Sequence, residues 1–183
     1  MLKIFNHNKL YIKYFANIQS TKIFDNSNAN HAVAVFRVLF ETAQGIVRIF
    51  ARDLCCDITN TNEYVDALQK FIKEKNGIVK ILLERRPSDT ELETLHIFDM
   101  LRNIGKNYEI KETIERATLK YGGLEPQQIN FTTGDDSIYR LEYNIDEFKA
   151  KCCFNSEKVT GRLNTLFDKS FSDNKAIPIL LRA

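Results

Sequence analysis

Gln44-Gly-Ile-Val-Arg-Ile-Phe-Ala-Arg-Asp53 is the stretch on which the fold turns. Ile46 to Asp53 is rich in β-forming residues and follows directly on a glycine, so it reads as a strand entered from a helix end. Upstream, Asn30 to Gln44 carry Ala32, Val35, Phe36, Leu39, Phe40 and Ala43 at helical spacing, with Asn28 or Asn30 as the N-cap. Gly45 then stands where a helix C-terminus favours a left-handed residue. Downstream the unit recurs. Asn62 to Lys75 place Tyr64, Val65, Leu68, Phe71 and Ile72 on one helix face, and Gly77 leads into Ile78-Val-Lys-Ile-Leu-Leu-Glu84. Ser88-Asp-Thr-Glu91 has the form of a capping box. From there a helix through Leu92, Leu95, Phe98, Leu101 and Ile104 is expected, ended by Gly105 and followed by the strand Tyr108-Glu-Ile-Lys-Glu112.

Strands alternating with helices call for a largely parallel sheet covered by helices. After residue 114 the pattern changes. Residues 115–127 read as an irregular excursion through Tyr121-Gly-Gly-Leu-Glu-Pro126. Three close strands follow, Gln128–Thr133, Ile138–Tyr143 and Phe148–Phe154, joined by links short enough for hairpins. A helix from Ser156 presents Val159, Leu163, Leu166 and Phe167, and the tail Ala176-Ile-Pro-Ile-Leu-Leu181 packs back or adds an edge strand. Leu10 to Phe15 can be read as a strand. The expected architecture is a single α/β domain over 28–183, with a mixed, largely parallel sheet flanked by helices, preceded by an N-terminal segment over 1–27.

Composition narrows the chemistry. The chain has 183 residues, 44% of them hydrophobic, and a net charge of 26 − 24 = +2, too balanced to announce a nucleic acid or an anionic membrane. With 7 glycines and 3 histidines, glycine-rich phosphate cradles and multi-histidine metal sites are disfavoured. No apolar run approaches the ~20 residues of a membrane span, so no membrane partner is expected and the cytoplasm is the expected compartment. The cysteines form two adjacent pairs, Cys55-Cys56 and Cys152-Cys153. Free buried thiols are the plainer reading, because neighbouring cysteines lack the usual zinc-ligand spacing.

An apolar helix, Ile46-Val-Arg-Ile-Phe-Ala51, a second helix and Ile78-Val-Lys-Ile-Leu-Leu83 resemble the core of the phospholipase D-like superfamily. So does Cys153-Phe-Asn-Ser-Glu-Lys158 leading to Leu166-Phe-Asp168. Arg52-Asp-Leu54 and Glu63-Tyr-Val-Asp-Ala-Leu68 are similar to stretches of small bacterial members. The likeness covers about residues 30–172. Active members carry His-x-Lys-x4-Asp, in which the histidine attacks a phosphodiester while lysine neutralises its charge. His7-Asn-Lys9 has the first half of that motif, but Tyr14 stands where the aspartate belongs. Neither His31 nor His96 is followed by lysine two positions on. Element order aligns the motif with Gln128-x-Asn130-x4-Asp135, which keeps the spacing and loses the nucleophile and the cation. The resemblance therefore implies a non-catalytic binding or regulatory module of a bacterial cell. It would have no catalytic residue, cofactor or metal, and would form a homodimer with a nucleic acid, a protein or a small ligand as partner.

The candidate ligand-binding residues are Arg52, Gln128, Asn130, Asp135, Asp136, Arg140 and Asn155. Arg52, Arg85 and Arg86 lie where strands end, which in parallel α/β sheets is where ligands bind; their guanidinium groups can fork onto a phosphate or carboxylate. Gly134-Asp-Asp-Ser137 is more simply a turn than a metal site, with Arg140 and Glu142 an ordinary ion pair beyond it. One rival function is a metal-dependent phosphodiesterase or nuclease, using this acidic cluster or Asp89 with Glu109-Ile-Lys111. Another is a structural interaction protein of a defence or toxin–antitoxin system.

Overall fold

Residues 2–119 and 125–181 are described by the structure, a computed structural model, with side chains described from Leu10 onward. Most of the Tyr121-Gly-Gly-Leu stretch and the side chains of His7 and Lys9 thus lie outside the described residues. The elements are α1 (Leu2–Asn17), β1 (Phe24–Asn26), α2 (Ala29–Thr42), β2 (Ile46–Ala51), α3 (Asn62–Glu74) and β3 (Ile78–Leu83). Next come α4 (Asp89–Thr94), α5 (His96–Ile104), β4 (Tyr108–Glu112), β5 (Thr118–Leu119), β6 (Gln127–Gln128) and β7 (Asn130–Gly134). The chain closes with β8 (Ile138–Asn144), β9 (Lys149–Cys153), α6 (Glu157–Phe171) and β10 (Ile177–Pro178).

One eight-stranded sheet, in the order β1-β9-β8-β7-β2-β3-β4-β10, organises the molecule. It is mixed, as expected, but its parallel pairing is confined to β2-β3-β4. Among the described residues the other five neighbouring pairs run antiparallel. The helix–strand units build only the parallel third; the hairpins β7-β8-β9 then join beside β2 rather than beyond β4. Strand alternation splits the core in two. Val47 and Ile49 of β2 and Val79, Ile81 and Leu83 of β3 face the α1, α2, α3 and α5 layer. Phe50, Leu82, Phe131 and Tyr139 face α6, where they meet Leu163, Phe167 and Phe171.

Four local readings change. Leu10 to Phe15 belongs to α1: Ile12, Phe15 and Ala16 are buried at helical spacing. The capped helix from Ser88 is two helices, because Leu95 is extended (φ −83°, ψ 131°) and His96 N–H turns to the Asn60 side chain at 2.6 Å. Its capping box is present, with Asn28 likewise capping α2. The strand expected from Gln128 is divided between β6, which pairs with β5, and β7. Of the three helix-ending glycines, Gly105 alone takes the left-handed conformation (φ 69°). Asn76 does so before Gly77 (φ 54°), and α2 has already ended at Thr42, ahead of Gly45. The tail contributes β10, an edge strand on β4. No helix among the described residues is long and apolar enough to cross a membrane.

Candidate functional site

A cavity of about 220 Å³ opens at the carboxyl end of β2, on the face covered by α2 and α3. Its floor follows from register: Ile49, Thr132 and Arg140 lie side by side across β2, β7 and β8. Phe36 of α2 and Tyr64 of α3 close it from above, their rings in edge contact at 5.1 Å. The segment after β2 forms one wall. There Leu54 and Ile58 are buried, and Thr59 Oγ1 donates to the Leu54 carbonyl at 2.5 Å. Asp53 holds this turn by accepting the Cys55 N–H at 2.9 Å. The β8–β9 link forms the opposite wall through Ile145, Asp146 and Phe148, the last in a left-handed conformation (φ 56°).

Inside is an ion pair. Arg140 Nη2 lies 2.7 Å from Glu142 Oε1, with the two side chains 3% and 6% exposed. Arg140 also donates to Asn26 Oδ1 (3.1 Å) and to the Phe148 carbonyl (3.3 Å), and its guanidinium lies 4.8 Å from the Phe36 ring centroid. Glu142 Oε2 accepts from Asn130 Nδ2 at 2.8 Å, and Asn130 Oδ1 accepts the Arg52 N–H at 2.9 Å. The chain Arg52–Asn130–Glu142–Arg140–Asn26 thus satisfies its own charges, the condition on which buried polar networks are tolerated. An ordinary surface pair was expected here. The pair is buried because β8 turns Arg140 and Glu142 to the face that the helices cover.

The rim is charged and self-matched. Arg52, half exposed, lies 3.6 Å from Asp53 and 3.7 Å from Asp146. Arg85 lies 3.2 Å from Asp53 and forks onto Glu91 at 2.9 and 3.0 Å. That fork and the Ser88 N–H hold the Glu91 carboxyl down at about 2. Arg86 faces Glu112 at 3.8 Å. Each arginine expected to grip an anion already meets a carboxylate of the chain.

Three of the seven candidate residues, Arg52, Asn130 and Arg140, line the cavity; the other four do not. Gln128 is bonded to Glu84, which also accepts the Ala117 N–H at 3.1 Å. Burial pushes the Glu84 carboxyl up. Asn155 donates to the Gln19 carbonyl at 3.0 Å, and Asp136 lies 3.5 Å from Asn164 Nδ2. Asp135 is at the far end of β7 (φ 50°), where its carboxylate accepts the N–H groups of Gln44 (2.8 Å), Gly45 (2.8 Å) and Ile46 (3.0 Å). Those three donors are what the chain leaves unpaired between α2 and β2, and one carboxylate collects them. Asp135→Ala is expected to cost about 1–3 kcal/mol in urea unfolding. A loss under about 0.5 kcal/mol would mean that water replaces the carboxylate at no cost.

The remaining sequence candidates lie elsewhere. Lys111 Nζ is 2.9 Å from the Phe171 carbonyl and 4.4 Å from that ring's centroid, and Asp89 starts α4. Among the described residues no group of three or more histidine, cysteine or acidic side chains is placed to hold a metal. His31 is half-buried at the start of α2, held below its ordinary pKa by burial and by Arg140. The four thiols are free; burial raises Cys55 to about 11 and Cys152 to about 12, which leaves them protonated and unreactive.

Sequence reasoning placed Phe36 and Tyr64 among core residues and did not single out Phe148. One signal was present: Tyr64 is a hydroxyl on an otherwise apolar helix face. Its hydroxyl is buried without a hydrogen-bond partner, and burial drives its pKa well above the usual tyrosine value.

No protein-family model matches the chain, and no curated protein matches it. Solved structures do. The archaeal chromatin protein TrmBL2, whose structure shows a novel mode of DNA binding, aligns over 95% of this chain and 62% of its own, with a TM-score of 0.58 at 13% identity. Phosphatidylserine synthase of Haemophilus influenzae Rd KW20 aligns over 86% of this chain and 39% of its own, with a TM-score of 0.51 at 10% identity. The chain therefore spans about three fifths of the first and two fifths of the second. At these identities the likeness shows the fold, an α/β sheet of the phospholipase D-like kind flanked by helices.

Proposed function

We propose that the chain is a non-catalytic ligand-binding module on a phospholipase D-like scaffold. The observation that carries this reading is the cavity at the carboxyl end of β2, part apolar and part lined by a closed network of charges. Such a recess, at the strand end where α/β sheets take ligands, is the default binding site. The residues aligned with the phosphodiesterase motif support the same reading. Gln128 and Asn130 carry no nucleophilic lone pair, and each is engaged by a neighbouring carboxylate. Asp135 serves the backbone between α2 and β2, six strand residues away along β2, or about 20 Å.

Two assays on the 183-residue chain test it. Bis(p-nitrophenyl) phosphate, DNA and RNA, each with and without Mg²⁺ or Mn²⁺, are expected to show background turnover only. Turnover that Asn130→Ala or Glu142→Gln removes would make the chain an enzyme. In a metabolite panel read by thermal shift, at least one compound is expected to stabilise the parent chain. It should lose that effect in Ile49→Phe, where the larger ring occupies the floor. A panel without any such compound sinks the binding reading.

A nucleic-acid partner is the second reading, favoured by the likeness to the DNA-binding archaeal chromatin protein. A net charge of +2, with Arg37, Arg52, Arg85 and Arg86 all facing carboxylates, leaves little to neutralise phosphates. DNA affinity falling steeply with salt would favour it. Pairing of two copies is the remaining part of the proposal. Light scattering that finds a monomer at all concentrations removes it.

A further inference from the structure

The cavity pairs an unanswered hydrogen-bond donor with walls that carry no unanswered charge. The Tyr64 hydroxyl is buried and makes no hydrogen bond, and the residue lines the cavity. The Cys56 thiol and the Arg140 guanidinium act on the ionisation of this hydroxyl. Both groups line the cavity, which puts the orphaned donor on the cavity side. At neutral pH it keeps its proton, so it can donate and does not act as a base. Every charged group around it is already matched: Glu142 by Arg140 and Asn130, Arg52 by Asp53 and Asp146. An incoming charge would lose its hydration and either go unpaired or break an existing pair. Phe36, Ile49 and Phe148 offer apolar surface instead. Size sets the last limit. A cavity of about 150 Å³ accommodates benzene, so about 220 Å³ holds one ring with a small substituent.

Resting on the binding reading above, we infer that this cavity takes a compact, uncharged, single-ring ligand whose hydrogen-bond acceptor engages the Tyr64 hydroxyl. Benzamide, benzoate and benzylamine (protonated at pH 7) share one ring and differ in charge, so they serve as probes. Each is titrated into the ¹⁵N-labelled 183-residue chain and into Tyr64→Phe, which removes the hydroxyl and keeps the ring. Benzamide is expected to shift the amides of Ile49, Tyr64 and Phe148 saturably, with the charged pair at least about ten-fold weaker. Tyr64→Phe should weaken benzamide about five- to ten-fold. Without ligand that variant should melt about 2–4 °C higher, because an unpartnered buried hydroxyl destabilises the parent.

Benzoate or benzylamine binding as well as benzamide overturns the inference, as does a Tyr64→Phe chain that binds benzamide undiminished. A lower melting temperature for Tyr64→Phe does the same, since the hydroxyl would then have a partner without ligand. No shift with any probe also overturns it. The metabolite panel with Ile49→Phe is read separately, so the binding site can survive the loss of this ligand class.

Discussion

Arg140→Leu should destabilise the protein by about 3–5 kcal/mol, because it strands the Glu142 carboxylate in a covered position. Against a total stability of about 5–15 kcal/mol this is enough to leave part of the population unfolded at room temperature. The loss falls on several contacts together. Asn26 Oδ1 loses its 3.1 Å donor, the Phe148 carbonyl keeps only Asn26 Nδ2 at 2.8 Å, and the Phe36 ring loses its cation. Removing both charges is a different matter. Arg140→Leu with Glu142→Leu deletes the stranded carboxylate, and replacing a buried pair by apolar groups is often neutral or stabilising. The double variant should recover most of the loss, short of what Asn130 and Asn26 lose as their partners go. Urea unfolding of the two singles and the double measures the coupling. Additive losses would mean that Arg140 acts by packing alone and that the network is not a unit.

The second large effect is at Gly77, where space rather than φ excludes a side chain. A Cβ there would stand 2.3–2.7 Å from three atoms of the Phe71 ring. Phe71 is 1% exposed in the main core, so its ring has nowhere to go. The close approach is built by the chain itself. Gly77 N–H donates to the Phe71 carbonyl at 3.1 Å, and Asn76 turns left-handed to bring it there. Gly77→Val is expected to cost about 3 kcal/mol, the upper part of the range for overpacked cores. Phe71→Leu is destabilising alone but should cost less in the Gly77→Val background, since the shorter side chain vacates the contested volume. A Gly77→Val chain within about 0.5 kcal/mol of the parent would contradict the packing of α3 against the start of β3.

Much of this fold was legible locally. The spacing of Val35, Phe36, Leu39 and Phe40 is a helix wherever it is placed, and Ile46 to Ala51 is a strand for the same reason. Three-residue signals were legible too: the Ser88 capping box and the Asn28 cap depend on neighbours three positions away. Local readings failed where a long-range contact overrode them. Leu95 breaks a continuous apolar helix because Asn60, far along the chain, accepts the His96 N–H. Gly45 resembles a helix terminator, yet the backbone there is organised by Asp135, 90 residues away.

The site shows the same division more sharply. The sequence by itself determined which elements form and which residue types are missing. Strand patterning set β2, β7 and β8, and the absence of His-x-Lys at Gln128 and Asn130 was readable without a structure. Tertiary structure alone decided that β7 runs antiparallel beside β2. That pairing brings Asn130 to the Arg52 N–H, and β8 then sets Arg140 beside Thr132. Tertiary structure likewise decided that Arg140, Glu142 and Tyr64 are buried around one cavity while Asp135 and Asn155 serve the scaffold. The physical reason is one of range. Helix and strand periodicity are properties of adjacent residues, whereas burial of a charge or an orphaned hydroxyl depends on what a distant segment lays over it.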